Sequence, residues 1–127
     1  GTIEPFGVAN LLVEGLHNFA DGMALQVAWN SSKKIGVATT IAVAVHELPQ
    51  ELGDFAVLRR AGFATGPLLA ANFVASLTCF GGVALAAVIT LASLVFFALY
   101  GTHSGAQKWN IYRPFLKSFI CHSLNNP

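Results

Sequence analysis

Charged residues are scarce in this 127-residue chain. Only 10% of its residues are Asp, Glu, Lys or Arg, whereas typical globular chains contain about 25%. The formal net charge is +1, and the basic residues lie between or after apolar runs, so the chain has no basic field that would attract nucleic acid. Hydrophobic residues make up 54% of the sequence. These proportions exclude an ordinary soluble domain and a nucleic-acid-binding protein, and they favour a membrane protein.

Cysteine is also rare, since the chain contains only Cys79 and Cys121. Two cysteines so far apart provide no disulfide framework, and Cys79 lies in the middle of an apolar run. Cys121 lies in the C-terminal tail with two scattered histidines, His103 and His122. We expect no functional site in the tail.

The apolar residues form three long segments separated by short polar turns. Residues 6–29 and 35–58 are each long enough to cross roughly 30 Å of hydrocarbon as a helix. The third segment covers 68–91, and apolar residues continue to Tyr100. Because this stretch is longer than one membrane crossing, we expect the helix to tilt, to overhang the bilayer, or to break near Thr90 or Ser93. The predicted fold class is all-α. We expect a polytopic transmembrane helical bundle with three membrane-spanning helices in residues 1–92. Residues 93–127 form a divergent tail, for which two interpretations stay open: a position at the membrane interface and a non-native origin.

The first apolar segment contains polar residues that are costly to place in a bilayer. They recur with the period of an α-helix, because at about 100° per residue they fall within an arc of roughly 100°. These residues are Asn10, Glu14, His17, Asn18 and Asp21. His17 and Asp21 are four residues apart, so their side chains meet across one helical turn.

The second apolar segment carries a matching polar face, within an arc of roughly 140°. Its residues are His46, Glu47, Gln50, Glu51 and Asp54. Pro49 has no backbone N–H to donate, which frees the carbonyl of Val45 for an ion pathway or its water. Two such helices facing each other would offer imidazole nitrogens and carboxylate oxygens to a divalent transition metal. Zinc binds such ligands at about 2.0–2.2 Å.

Four polar residues of the three segments have more than one interpretation. Asn72 and Ser76 share one face of the third helix, where hydrogen bonding between helices explains them as well as a place on an ion pathway. Glu14 and Asp54 are candidates for the same pathway, and the alternative is a carboxylate that snorkels to the interface or lies at the mouth of a pore.

One enzyme motif resembles the second cluster and is excluded. The letters HELPQ at 46–50 begin like the H-E-x-x-H motif of zinc proteases. Gln50 occupies the position of the second His, however, and Pro49 lies inside the helix. The protease interpretation therefore lacks its defining ligand, and we predict that the chain is not an enzyme.

The two clusters resemble the ZIP family of zinc/iron-regulated transporters, in particular its LIV-1 branch. The similarity rests on the letters HNFADG at 17–22 and HELPQELGDFA at 46–56, and it extends to the turn at 60–62 and to Asn72 and Ser76. It covers roughly residues 6–91. The resemblance implies the fourth to sixth of eight transmembrane helices, so we expect the chain to be a fragment whose missing helices supply the other wall of the pathway.

The resemblance also implies a set of metal ligands. One subsite would consist of His17, Asp21, His46 and Gln50. An adjacent subsite would draw on Asn18 and Glu47, with Gln50 between the two. Glu51 is implied as an additional ligand or proton acceptor. Members of the LIV-1 branch usually have His at the position of Gln50, and a neutral amide oxygen is a poorer zinc ligand than imidazole.

The function that follows is transport of Zn²⁺ toward the cytosol, with Fe²⁺ and other divalent ions as open alternatives. The expected partners are the lipid bilayer, the metal ion and the missing helices, and family analogy suggests a homodimer. The protein would be integral to the plasma membrane or an endomembrane. The competing hypothesis is a non-transporting membrane protein whose polar clusters bind partner helices.

Overall fold

The computed structural model describes residues 3–100, and the regular structure of that part is entirely helical. The helices are α1 (Pro5–Ser31), α2 (Lys33–Arg60), α3 (Thr65–Ser76) and α4 (Thr78–Tyr100). The all-α prediction is confirmed for these residues. The expectations for the tail, including those for His103, Cys121 and His122, lie outside the described residues.

Helices α1 and α2 form an antiparallel hairpin with a one-residue connection. Ser32 adopts an extended backbone and its side-chain oxygen accepts a hydrogen bond from the Ile35 N–H at 3.2 Å, which caps the start of α2. Near the same end, the Trp29 indole N–H donates to the Thr40 hydroxyl at 3.1 Å. This tight connection turns the polar faces of the two helices toward each other.

The third apolar segment is divided, but not where the sequence suggested. Of the three alternatives of tilt, overhang and a break near Thr90 or Ser93, the structure does not have the break, because the interruption is at Leu77 and α4 continues through both residues. The hydroxyls of Thr90 and Ser93 donate to carbonyls four residues back, each at 2.8 Å, which leaves the helix intact. At the interruption, the Thr78 hydroxyl instead donates to the carbonyl of Ala75 at 2.7 Å.

Helix α1 packs against the other three helices, and its approach to α4 is very close. A Cβ atom added at Gly22 would overlap the backbone carbonyl of Cys79, and one added at Gly82 would overlap the carbonyl of Phe19. Two glycines therefore allow the two backbones to touch, as small residues commonly do between membrane helices. This contact fixes the position of α1, which carries half of the polar residues.

Within residues 3–100, one helix is long and apolar enough to cross a membrane by length and composition. It comprises 65–100, counted across the interruption at Leu77. Helices α1 and α2 have 27 and 28 residues, which at about 1.5 Å per residue is enough length for a bilayer. Their polar faces lower their hydropathy, so a three-span bundle is not established by composition.

The outward faces of the helices are strongly apolar. Large side chains lie exposed along α1, α2 and α4, including Leu16 at 71%, Leu52 at 74% and Phe80 at 71%. Contiguous apolar surface of this kind is rare on soluble monomers and marks contact with lipid or protein. The described part of the chain therefore has an apolar exterior, as expected of a protein in a bilayer, and buries three polar residues, Glu14, Asn18 and Asn72.

Candidate metal centre

Four side chains of α1 and α2 bring one donor atom each within 4.8 Å of one another. They are His17, Asp21, His46 and Glu47. The Nε2 atom of His46 lies 3.0 Å from Asp21 Oδ2 and 3.2 Å from His17 Nε2. The Oε1 atom of Glu47 lies 3.7 Å from His17 Nε2 and 3.6 Å from His46 Nε2. His17 Nε2 and Asp21 Oδ2 are 3.5 Å apart.

These separations match those around a single tetrahedral ion. With zinc–ligand bonds of about 2.0–2.1 Å, the ligands of a tetrahedral site lie about 3.3 Å apart. The five donor separations run from 3.0 to 3.7 Å and so bracket that value. Two imidazole nitrogens and two carboxylate oxygens also form a ligand set suited to zinc or iron rather than to calcium or magnesium.

Two further features prepare these side chains for a metal. The second ring nitrogen of His46, Nδ1, lies 3.0 Å from the carbonyl of Ala42, so that Nδ1 carries the proton and Nε2 presents a lone pair to the other donors. The Oε1 atom of Glu47 is buried and has no hydrogen-bond partner among residues 3–100. A buried carboxylate oxygen without a partner is costly, and a bound cation would satisfy it.

The centre is open on one side. The side chains of His17 and His46 are 39% and 43% exposed, whereas those of Asp21 and Glu47 are 16% and 19% exposed. The carboxylates thus lie on the protein side of the group and the imidazoles on its outer side. An ion could reach the four donors without any movement of α1 or α2.

Polar pairs continue from the centre along the antiparallel hairpin, one helical turn at a time. The next pair is Glu14 with Gln50, whose Nε2 donates to Glu14 Oε2 at 2.7 Å. One turn further, Asn10 Nδ2 donates to Asp54 Oδ1 at 2.7 Å. The ladder of polar side chains therefore runs from the centre toward the end of the hairpin where α2 terminates at Arg60.

Glu14 and Glu51 lie next to the centre and are held by other side chains. Their carboxylates come within 4.8 Å of that of Glu47. Glu14 is only 2% exposed, and Asn18, which is 5% exposed, donates to its Oε1 at 2.5 Å. Glu51 accepts from two side chains of α3, Asn72 Nδ2 at 3.1 Å and Ser76 Oγ at 2.8 Å.

A zinc-transporter family model matches residues 3–104 of the chain. Its description is "ZIP Zinc transporter". The match covers most of the chain, including both polar clusters. The chain belongs to the ZIP family. ZIP proteins are integral membrane proteins and transporters, which agrees with the predicted membrane location and with the absence of an enzyme motif.

Individual relatives match different extents of the chain. Zinc transporter ZIP4 of Mus musculus is 47% identical over 78 residues, covering 61% of this chain and 12% of that protein. Zinc transporter ZIP13 of Pongo abelii is 49% identical over 63 residues, covering 50% of this chain and 19% of that protein. IAA-alanine resistance protein 1 of Arabidopsis thaliana is 34% identical over 134 residues, covering 94% of this chain and 28% of that protein. No solved structure matches the chain.

The chain spans less than a third of the length of each of these relatives. The family match also extends past the segment 6–91 that carries the resemblance in the sequence, and the Arabidopsis relative aligns with most of the tail as well. Similarity to the family is therefore not confined to the region of the two clusters.

Two residues of the implied ligand set lie in different surroundings. Glu47, which the ZIP resemblance assigns to the adjacent subsite, lies with His17, Asp21 and His46 in the four-donor group. Gln50, which the resemblance assigns to the first subsite, donates its amide N–H to Glu14. The roles of both residues as ligands stay predictions.

Sequence reasoning missed one residue that positions the site. The Thr78 hydroxyl lies 2.5 Å from the carbonyl of Gly15 and shares its one proton between that carbonyl and the carbonyl of Ala75, so it joins the α3–α4 junction to α1 beside Glu14. No periodic signal marks Thr78, because its role depends on the interruption at Leu77. Asn72 and Ser76, which the sequence did single out, contact Glu51 and not the four donors.

Proposed function

We propose that this chain forms the ion-binding part of a transporter that carries Zn²⁺ across a membrane. The observation that carries the proposal is the four-donor group of His17, Asp21, His46 and Glu47, whose separations suit one tetrahedral ion. The ion would exchange its waters for these donors. Fe²⁺ accepts the same ligand types and is a second candidate substrate.

The polar ladder supports a route for the ion. From the centre, the carboxylates of Glu14, Glu51 and Asp54 follow toward the end of α2. Glu14 and Glu51 accept hydrogen bonds at both oxygens, so a passing ion would take the place of those donors. The family resemblance implies that the end of α2 with Arg59 and Arg60 faces the cytosol, and the proposed direction is therefore toward the cytosol.

A complete pathway would need more than these helices. The exposed imidazoles of His17 and His46 and the apolar outer faces leave room for further transmembrane helices of a longer protein. We propose that α1, α2 and the α3–α4 segment all span the membrane, that the remaining helices close the open side of the centre, and that such transporters pair as homodimers by analogy with the family.

The competing function is that of a membrane protein whose polar clusters only bind helices together. The pairs Asn10–Asp54 and Asn72–Glu51 are direct hydrogen bonds between helices and fit that function. The four-donor group contains such a contact too, between His46 and Asp21 at 3.0 Å. It also gathers two carboxylates and two imidazoles at one point and leaves Glu47 Oε1, which faces both imidazoles, without a hydrogen-bond partner among the described residues. Hydrogen bonding between helices therefore accounts for the pairs of the ladder better than for the four-donor group.

Transport can be tested by transferring this segment into a relative. In mouse zinc transporter ZIP4, the 78 aligned residues would be replaced by the matching stretch of this chain, and zinc uptake would be measured in cells that display equal amounts of each protein at the surface. We expect the chimera to take up zinc and a matched chimera carrying Glu47→Gln to show only background uptake. A chimera that reaches the surface and takes up no zinc would support the helix-binding function instead.

A further inference from the structure

Three carboxylates crowd together at the inner side of the centre, but they are not equivalent. Glu14, Glu47 and Glu51 have oxygen atoms within 4.8 Å of one another. Glu14 and Glu51 each accept hydrogen bonds at both oxygens from neighbouring side chains. Glu47 has a buried oxygen without a hydrogen-bond partner in the described part of the chain, and it is the carboxylate that faces both imidazoles. The neighbouring donors thus leave one carboxylate of the three for the metal.

Glu51 is hydrogen-bonded by two side chains of α3. Asn72 donates to one of its oxygens at 3.1 Å and Ser76 to the other at 2.8 Å. Asn72 is itself 6% exposed, so its side chain has little room to move. Hydrogen bonds to a charged group are stronger than those between neutral groups. The Glu51 carboxylate lies within 4.8 Å of that of Glu47, close enough to turn toward a bound ion once these two bonds are removed.

We propose that Asn72 and Ser76 set the metal selectivity of the centre by keeping Glu51 out of the ligand set. This inference rests on the proposed function. With Glu51 withheld, the centre offers two imidazoles and two carboxylates, a set that suits zinc. Adding a third carboxylate would raise the number of hard oxygen ligands and the negative charge. Manganese(II) prefers oxygen-rich, six-coordinate sites, so the affinity of the centre for manganese would rise relative to its affinity for zinc.

The proposal predicts stronger manganese binding relative to zinc after removal of Asn72 and Ser76, whereas a purely structural role predicts weaker binding of both metals. If Asn72 and Ser76 only held α3 against α2, their removal would loosen the hairpin and weaken every metal alike. If they withhold a ligand, their removal would release Glu51 and strengthen manganese binding relative to zinc. The ratio of the two affinities therefore separates the two roles, and it does not depend on the absolute stability of the variant.

The test is calorimetric titration of the full 127-residue chain in lipid nanodiscs, with zinc chloride and manganese chloride in separate experiments. In the variant carrying Asn72→Ala and Ser76→Ala, we expect the manganese-to-zinc affinity ratio to rise about tenfold, the scale on which changes beside a metal site act. Ser93→Ala is the matched control, because that hydroxyl donates only to the carbonyl of Ile89 in its own helix. It should leave the ratio unchanged.

Adding Glu51→Gln to the double variant identifies the group responsible. We expect the added substitution to return the ratio to that of the unaltered chain. A ratio that does not rise in the double variant, or that stays raised after Glu51→Gln, would overturn the proposal. If the unaltered chain binds no zinc, the proposed function fails as well. A chain that binds zinc normally but shows no change of ratio refutes only the role of Asn72 and Ser76.

Discussion

Replacement of both His17 and His46 by Ala is expected to lower the zinc affinity of the chain by more than about a hundredfold. Loss of a group that only supports a ligand already costs about 10–100-fold, and this variant lacks two of the four proposed ligands. Asp21 and Glu47 would remain as two facing carboxylates without an imidazole. The affinity would be measured by titration of the purified chain with zinc in competition with a chelator of known strength.

The loss of zinc affinity should be specific to the imidazoles of His17 and His46. Both side chains are substantially exposed, so their truncation leaves no buried cavity, and the helical circular dichroism should stay at the level of the unaltered chain. The variant carrying His103→Ala and His122→Ala removes the same number of imidazoles and should bind zinc normally. Equal losses in the two variants would show that zinc binds to histidines in general and not to the centre.

Substitution of Gly82 by Ala is expected to lower the free energy of unfolding by about 3 kcal/mol, the upper part of the range for overpacked sites. The added Cβ would overlap the carbonyl of Phe19 on α1, and a backbone atom cannot rotate away as a side chain can. Gly22→Ala should behave alike, because its Cβ would meet the carbonyl of Cys79. Unfolding would be followed by circular dichroism during titration with sodium dodecyl sulfate.

Gly53→Ala is the matched control for the contact between α1 and α4. No atom lies within 4 Å of the Cβ position at Gly53, which is inside α2. Ala is favoured over Gly in a helix by about 0.5–1 kcal/mol, so this variant should be slightly more stable than the unaltered chain. If Gly53→Ala and Gly82→Ala destabilised the chain equally, the close approach of α1 and α4 would not be the cause.

The faces of the helices could be predicted from the sequence because helical geometry fixes them. Residues spaced by three or four along α1 and α2 must share a face, and the one-residue connection at Ser32 leaves an antiparallel hairpin as the arrangement of the two helices. That combination places His17 beside His46 and Glu14 beside Gln50.

The hydrogen-bond partner of each polar side chain could not be predicted in the same way. Periodicity puts Glu47, Gln50 and Glu51 on one face but does not say which of them turns toward the imidazoles. That choice depends on donors supplied by other helices, since α3 binds Glu51 and Glu14 binds Gln50. The interruption at Leu77 was equally hidden, because Thr78 gains its bond to Gly15 only after α1 is in place.

The most direct test of the account is X-ray absorption spectroscopy at the zinc edge on the zinc-loaded 127-residue chain. The account predicts four nitrogen or oxygen ligands at about 2.0–2.1 Å, two of them identified as imidazoles by scattering from their ring carbons. In the Glu47→Gln variant, the four-ligand shell should change while both imidazoles remain. A shell of six oxygens without imidazole, or a sulfur ligand from Cys79, would contradict the proposed centre.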